Sequence, residues 1–358
     1  MTKIRVLVVG VGGMGVSHAR AYASNPGFEL AGLCSRGIDA RTDLASEFPS
    51  VAKFSDYAEA LAALKPDAVS INTWPDTHAQ YARMALEAGA HIFIEKPLAD
   101  TVEEARAIAA LAKAKKRKLV IGYILRVHPS WVKFVELGKT LGKPLVMRMN
   151  LNQQSSGTQW LVHKHLMDSI SPLVDCGVHY VDVMCQVTGA KPISVHAMGV
   201  RLTPEVHEGM YNYGQLQVKF DDGSIGWYEA GWGPMMSETA FFVKDMIGPM
   251  GSVSIAMDES KAGSSDVDSH TKTSALLLHH AELKADGTFA KADDMFSMAD
   301  EPGHQDLCNR EQALFLDAIV NDRNMDAHME DAIRSLQIVL AADQSVRTGE
   351  VVKITAQI

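Results

Sequence analysis

The residues able to do chemistry fall into short runs. The first is Gly10-Val11-Gly12-Gly13-Met14-Gly15, a G-x-G-x-x-G between an apolar strand pattern and a helix pattern. Gly10 permits a tight turn, Gly12 lets backbone approach a pyrophosphate, and Gly15 lets helix and strand pack closely. The helix start adds unpaired N–H groups and a positive dipole end for phosphates. Gly13 and Met14 complete this candidate dinucleotide cradle. The competing reading is a glycine-rich turn without a ligand.

At the end of the second strand pattern stand Ser35 and Arg36, where an Asp or Glu would select NAD. A guanidinium there suits a 2′-phosphate. NADP(H) is therefore expected over NAD(H), unless Arg36 only begins a solvent-facing loop. Glu95-Lys96-Pro97 closes another strand. Ligands bind at the carboxyl ends of parallel strands, and a lysine there can stabilise negative charge developing on a substrate oxygen. The bland alternative is a surface lysine at a strand end.

Asp175, His179 and Asp182 fall at i, i+4 and i+7 of an otherwise apolar helix pattern, so they share one face. Histidine is the natural proton carrier near neutral pH. Gly177 inside the helix costs about 1 kcal/mol relative to Ala, which implies close approach there, by a nicotinamide ring or a substrate. Without the other motifs, a capped helix with a satisfied core histidine fits equally well. No second ligand cluster accompanies the trio, so no metal site is expected. Further candidates are Thr73, Trp74 and His78, after the third strand pattern, for the cofactor. Tyr123, Arg126, Trp160, His163 and His165 are candidates for the substrate. For each of these, packing explains the residue as well as ligand contact does.

The elements that must position these groups change type along the chain. Residues 1–125 alternate apolar strands (Ile4 to Val9, Glu29 to Cys34, Asp67 to Asn72, His91 to Glu95, Leu119 to Gly122) with helices, which indicates a doubly wound parallel sheet. Residues 126–358 read as an α+β domain with a large, mostly antiparallel open sheet. Its helices are expected at Pro129 to Gly138, Pro172 to Val187, Asp306 to Val320 and Met329 to Arg347. Its strands are expected at Leu145 to Asn152, Ile193 to Val200, Tyr213 to Phe220, Ser224 to Gly231, Ala240 to Met246, Ser252 to Met257 and Val351 to Ile354. Gln153 to Gly157 and residues 258–272 read as loops, and Asp221-Asp222-Gly223 as a hairpin turn.

The 358 residues carry a net charge of -9, which argues against a nucleic-acid partner. An apolar fraction of 47% against 22% charged excludes dominant disorder. Four cysteines with no C-x-x-C spacing make neither a disulfide framework nor a zinc site, and a reducing cytoplasm fits them. No apolar stretch approaches a membrane span, and the first apolar run starts too early for a signal peptide.

The glycine motif, Glu95-Lys96-Pro97 and the D-x-G-x-H-x-x-D run from Asp175 to Asp182 occur in this order, and the chain closes on Ala341-Ala342-Asp343-Gln344-Ser345-Val346-Arg347-Thr348-Gly349. Together they resemble the glucose–fructose oxidoreductase / inositol dehydrogenase / rhizopine catabolism family over nearly the whole chain. The resemblance implies a Rossmann domain with an α/β partner domain, assembled as homodimers or homotetramers. It implies NAD- or NADP-dependent interconversion of alcohol and carbonyl groups on sugars, polyols or cyclitols. It also implies Lys96 near substrate and nicotinamide, Asp175 positioning the substrate, and His179 as acid/base. Pro172-Leu173-Val174 replaces the glycine pair that often precedes the first Asp, so the substrate loop is expected to differ. A reductase of a dihydrodiol or an imine, or a dinucleotide sensor without turnover, would use the same motifs.

Overall fold

The computed structural model describes residues 2–237, 242–256, 273–298 and 300–354. The chain forms two compact units, residues 1–124 with 303–333, and residues 125–302 with 334–358. The single boundary expected at 125/126 therefore misses the return of residues 303–333 to the first unit. The loop expected over 258–272 lies outside the described residues.

In the first unit, the strands are β1 (Ile4–Val9), β2 (Phe28–Cys34), β3 (Ala52–Phe54), β4 (Ala68–Ile71), β5 (His91–Glu95) and β6 (Leu119–Gly122). They pair in parallel in the order β3-β2-β1-β4-β5-β6. The helices are α1 (Gly13–Ser24), α2 (Thr42–Glu47), α3 (Tyr57–Leu64), α4 (Pro75–Glu87), α5 (Val102–Ala114) and, later in the chain, Gly303-capped His304–Val320. Elements α2, β3 and α3 have no counterpart among the expected elements, because each is too short to show a period. Local signals for α3 and α5 are nevertheless present: Asp56 Oδ1 accepts from Glu59 N, and Thr101 Oγ1 accepts from Glu104 N. Strand order reverses beside β1, and Val9, Ile71 and Ile94 are in register across β1, β4 and β5. The carboxyl ends of these three strands therefore form one edge, the switch point where such sheets bind ligands.

A buried polar network fixes that edge. His18, on α1, lies 2.8 Å from Glu95 Oε1 through Nε2 and accepts from Gln312 Nε2 at 2.9 Å through Nδ1. An ionised Glu95 can only accept, so His18 carries its proton on Nε2. Burial pushes Glu95 up, but the hydrogen bond from His18 and the charge of Lys96 outweigh it and hold the carboxyl below its usual range. Glu311, on the helix that returns to this unit, is 3% exposed, and both of its carboxyl oxygens are buried without a hydrogen-bond partner. Burial, then the charge of Glu95, raises its pKa well above 4.5, so Glu311 is a neutral acid near neutral pH.

In the second unit, β7 (Val146–Gln154), β8 (Pro192–Val200), β9 (Tyr213–Phe220), β10 (Ile225–Gly233), β11 (Lys244–Gly248), β12 (Gly251–Ala256), β13 (Ala275–His280), β14 (Asp294–Ser297) and β15 (Val352–Lys353) make one sheet. Its order is β14-β13-β12-β11-β7-β10-β9-β8-β15, and only β7 and β10 run parallel. Strands β13 and β14 add to the expected set. Gly223, at φ +86°, closes the expected hairpin between β9 and β10. Helices α6 (Pro129–Gly138), α7 (Gly157–Leu166), α8 (Pro172–Asp175) and α9 (Gly177–Thr188) accompany the sheet. The His304–Val320 helix is α10, and α11 (Asp326–Thr348) supplies residues to both units. Two expectations are corrected here. Of the supposed loop at Gln153 to Gly157, only Ser155 and Ser156 connect elements; Gln153 and Gln154 end β7, and Gly157 starts α7. The helix expected from Pro172 to Val187 breaks at Cys176 into α8 and α9.

Glu311 provides a test of the buried network. Folded, it holds a proton that the unfolded chain loses above pH 4.5, so its contribution to stability falls as pH rises from there. Glu311→Gln is neutral in both states and escapes that loss. Thermal unfolding of both proteins should show the variant's Tm advantage growing between about pH 4.5 and 7.5. A pH-independent difference would mean that Glu311 is ionised in the fold.

Candidate functional site

The glycine loop in the first unit has two kinds of position. A Cβ on Gly15 would lie 1.8 Å from Gly10 O, and one on Gly10, at φ +81°, 2.5 Å from Asn72 O. The fold itself demands glycine there. A Cβ on Gly12 or Gly13 would meet nothing within 4 Å, so the protein's own packing leaves that space clear. Gly12 is the N-cap of α1 and makes no side-chain capping bond, and the first turn carries no acid. Unpaired donors, a positive dipole end and an open approach fit a dinucleotide pyrophosphate. Met14, within the same turn, is half-buried.

Around this loop, Ser35 is half-buried and Arg36 exposed just past β2. Arg41 folds back, its Nη1 donating to Val11 O at 2.6 Å and its Nη2 to Asp43 Oδ2 at 2.7 Å. After β4, the Thr73 hydroxyl lies 2.6 Å from that of Thr77, and Trp74 is 47% exposed. His78 is fully buried, with Nδ1 2.7 Å from Pro97 O and Nε2 3.1 Å from Thr73 O. Burial pushes its pKa down, while the Pro97 and Thr73 carbonyls, which can only accept, pull it up; the ring sits between the end of β5 and the loop after β4 rather than facing a ligand directly. Lys96 is half-buried and follows Glu95 at that edge, before a cis peptide bond to Pro97. Tyr123 is buried at 2%, its ring edge-on to His328 at 6.2 Å.

In the second unit, Ser171 caps α8 as its sequence indicates, accepting from Val174 N. Asp175 is half-buried, and His179 is 8% exposed on α9. Gly177 does make a close approach, but to the protein itself: a Cβ there would lie 2.9 Å from the Tyr228 ring on β10. That replaces the expected nicotinamide or substrate contact. Asp182 accepts from Arg126 Nε at 2.8 Å and Nη2 at 2.6 Å, and from Gln186 at 2.9 Å. This paired, buried clamp engages the guanidinium of Arg126, and it separates Asp182 in role from Asp175 and His179.

Nearby, His163 stacks on Trp232 with centroids 4.6 Å apart and planes 13° from parallel. Its Nδ1 is 2.9 Å from Ser155 Oγ, and Trp232 Nε1 donates to Gln153 Oε1 at 2.9 Å. Gln153 Oε1 also lies 3.7 Å from Cys176 Sγ, beside Asp175. Trp160 donates to Glu205 at 3.3 Å, while His165 is exposed and pairs with Asp168 at 3.1 Å. The sequence singles out His163 but not Trp232, Gln153 or Ser155, which share no short motif with it.

His18, Cys308 and Glu311 also bring donor atoms within 4.8 Å of one another. Both ring nitrogens of His18 are already engaged by Glu95 and Gln312, which argues against a metal centre there. None of the four buried cysteines is disulfide-bonded. Among the described residues, no helix is long and apolar enough to cross a membrane.

Comparison with known proteins places these two units. Residues 4–123 match the model of an oxidoreductase family with an NAD-binding Rossmann fold, and residues 136–243 match the GFO/IDH/MocA C-terminal domain. The D-glucoside 3-dehydrogenase of Escherichia coli is 26% identical over 98% of this chain and 97% of its own length. The UDP-N-acetylglucosamine 3-dehydrogenase of Acidithiobacillus ferrooxidans is 34% identical over 56% of this chain, a match spanning 59% of that protein. A crystal structure of scyllo-inositol dehydrogenase from Lactobacillus casei, with bound NAD(H) and scyllo-inositol, shares the fold. Its TM-score is 0.77 at 20% identity, over 98% of this chain and 99% of that one. An open glycine cradle at the switch point of a parallel sheet, a lysine on the same edge, and matches to both domain models have one common meaning: the chain belongs to the GFO/IDH/MocA family of NAD(P)-binding oxidoreductases.

Proposed function

We propose that this protein interconverts a secondary alcohol and a ketone on a sugar, cyclitol or polyol. The observation that carries the reading is the edge formed by β1, β4 and β5. It sets Lys96 on the same side of the sheet as a glycine loop whose Gly12 and Gly13 leave a ligand room. The named relatives, dehydrogenases of glucosides, UDP-sugars and inositols, support the substrate class.

When bound, the nicotinamide supplies the hydride acceptor or donor. The chain's own residues do the rest. Lys96 holds the reacting oxygen and stabilises the charge it gains as its proton leaves. His179 takes that proton in oxidation and returns it in reduction. Asp175 accepts a hydrogen bond from the substrate and fixes which carbon faces the cofactor. Gly10, Gly12, Gly13, Met14, Gly15, Thr73 and Trp74 line the cofactor side, with Glu95 at its inner end.

Ser35 and Arg36 support a preference for NADP(H) over NAD(H). Arg41, drawn to the glycine loop by Val11 O, places a second guanidinium on that side. The open sheet supports a homodimer or homotetramer: Val146, Ile225, Ile247 and Leu277, on four of its strands, are each at least 36% exposed. A monomer in light scattering at micromolar concentration contradicts that assembly. Cytoplasmic residence is part of the same reading.

Oxidation of a sugar and cyclitol panel, followed at 340 nm with both cofactors, tests the function. Lys96→Met should lower turnover about 10²–10³-fold while leaving cofactor binding near normal. His179→Asn should lose more activity at pH 7 than at pH 10, because hydroxide partly replaces the missing base. Unchanged turnover in the first variant, or a wild-type pH profile in the second, removes that residue from the mechanism.

Arg36→Ala should weaken NADP about 10- to 150-fold and leave NAD nearly unchanged, the effect of losing one charge-assisted hydrogen bond. Side-by-side kcat/KM values check this. A wild type that favours NAD, with Arg36→Ala altering neither value, refutes the preference.

A further inference from the structure

We propose that His163 is a specificity-determining residue, which presents its Nε2 to a hydroxyl of an uncharged substrate region beside Asp175. The inference deepens the function proposed above and rests on it.

His163 is held from two directions. Its ring lies flat on Trp232, 4.6 Å between centroids, and Nδ1 meets the buried Ser155 hydroxyl at 2.9 Å. Trp232, 1% exposed, is itself pinned by Gln153 Oε1 at 2.9 Å, and that oxygen meets Cys176 next to Asp175. The imidazole therefore cannot turn without breaking both the stack and the serine contact. Preorganisation of this kind lowers the cost of binding.

The other ring nitrogen is spare. His163 is 6% exposed, and among the described residues its Nε2 has no hydrogen-bond partner. With no protein partner, Nε2 keeps contact with solvent, where a ligand hydroxyl can take the place of a water. Burial pushes the ring's pKa down to about 4, although the charge of Asp175 pulls it upward. His163 is thus neutral at physiological pH. Whichever tautomer Ser155 selects, Nε2 can donate to a hydroxyl or accept from one. A neutral imidazole beside a carboxylate suits a hydroxyl, whereas a substrate carboxylate or phosphate would be repelled by Asp175.

The test uses the best substrate from the panel together with its mono-deoxy analogues. His163→Phe keeps a ring for Trp232 and removes both nitrogens. His163→Gln puts an amide near the Nε2 position. The Phe variant should raise KM about 5- to 100-fold with kcat nearly unchanged, and Gln should recover part of that loss. One deoxy analogue should be penalised by a similar factor in the wild type and not at all in the Phe variant. Three results overturn the assignment: an unchanged KM in the Phe variant; equal losses in KM, kcat and cofactor affinity, which would mark a structural role; or every deoxy analogue discriminated alike by both proteins. A wild type active on the panel with any of these refutes His163 alone. A wild type inert on the whole panel overturns the functional reading itself.

Discussion

The contact between Glu95 and His18 is the constraint on which the first unit's site depends. It joins α1, whose start forms the glycine cradle, to β5, whose end carries Lys96. A hydrogen bond to a charged group contributes about 1.5–3 kcal/mol net. Breaking such a buried pair from one side costs more, about 3–5 kcal/mol, because an uncompensated charge is left behind. Gln312 satisfies the second nitrogen of His18 from α10, so the returning helix is part of the cofactor domain's core. Glu311 accepts the cost of being neutral next to Glu95, which avoids two buried negative charges in one small space. His78 adds a second tie at the same edge, between Pro97 and Thr73.

The second unit solves a different problem. Its helix pair carries a half-buried Asp175 and a buried His179 in a unit whose core holds Trp131, Tyr180 and Tyr228. The break at Cys176 and the packing of Gly177 on Tyr228 set where α8 ends and α9 begins. Asp182, one turn on from His179, is held through Arg126 and Gln186 instead of being left for a ligand. Of the three acids and bases read as one helix face, Asp175 ends α8, His179 and Asp182 lie on α9, and Asp182 anchors Arg126.

Much of this architecture is legible in the residues alone, because the signals are local. Gly10 to Gly15, Glu95-Lys96-Pro97 and Asp175 to His179 each combine residue type, spacing and element within a few positions. Strands such as β1 and long helices such as α5 and α10 carry enough period to be read. The elements between Ile38 and Leu64 do not, and neither does α7, which leaves Leu161 and Val162 exposed while burying Trp160 and His163. The partners of the site are out of reach for another reason. His18 and Gln312 are 294 positions apart, and Gln153 and Trp232 79, and nothing local in either member announces the other. Gly177 illustrates the limit: its need for space is readable, but the identity of its neighbour, a tyrosine on β10, is not.

In the proposed reaction the substrate's hydroxyl-bearing carbon gives its hydrogen directly to a nicotinamide cofactor on this chain. Deuterium placed on that carbon of a sugar or cyclitol substrate tests it most directly. Direct transfer puts the label at C4 of the reduced cofactor, on one face only, with a slowed rate when hydride transfer limits turnover. Label released to water, or substrate consumed without cofactor reduction, would contradict it.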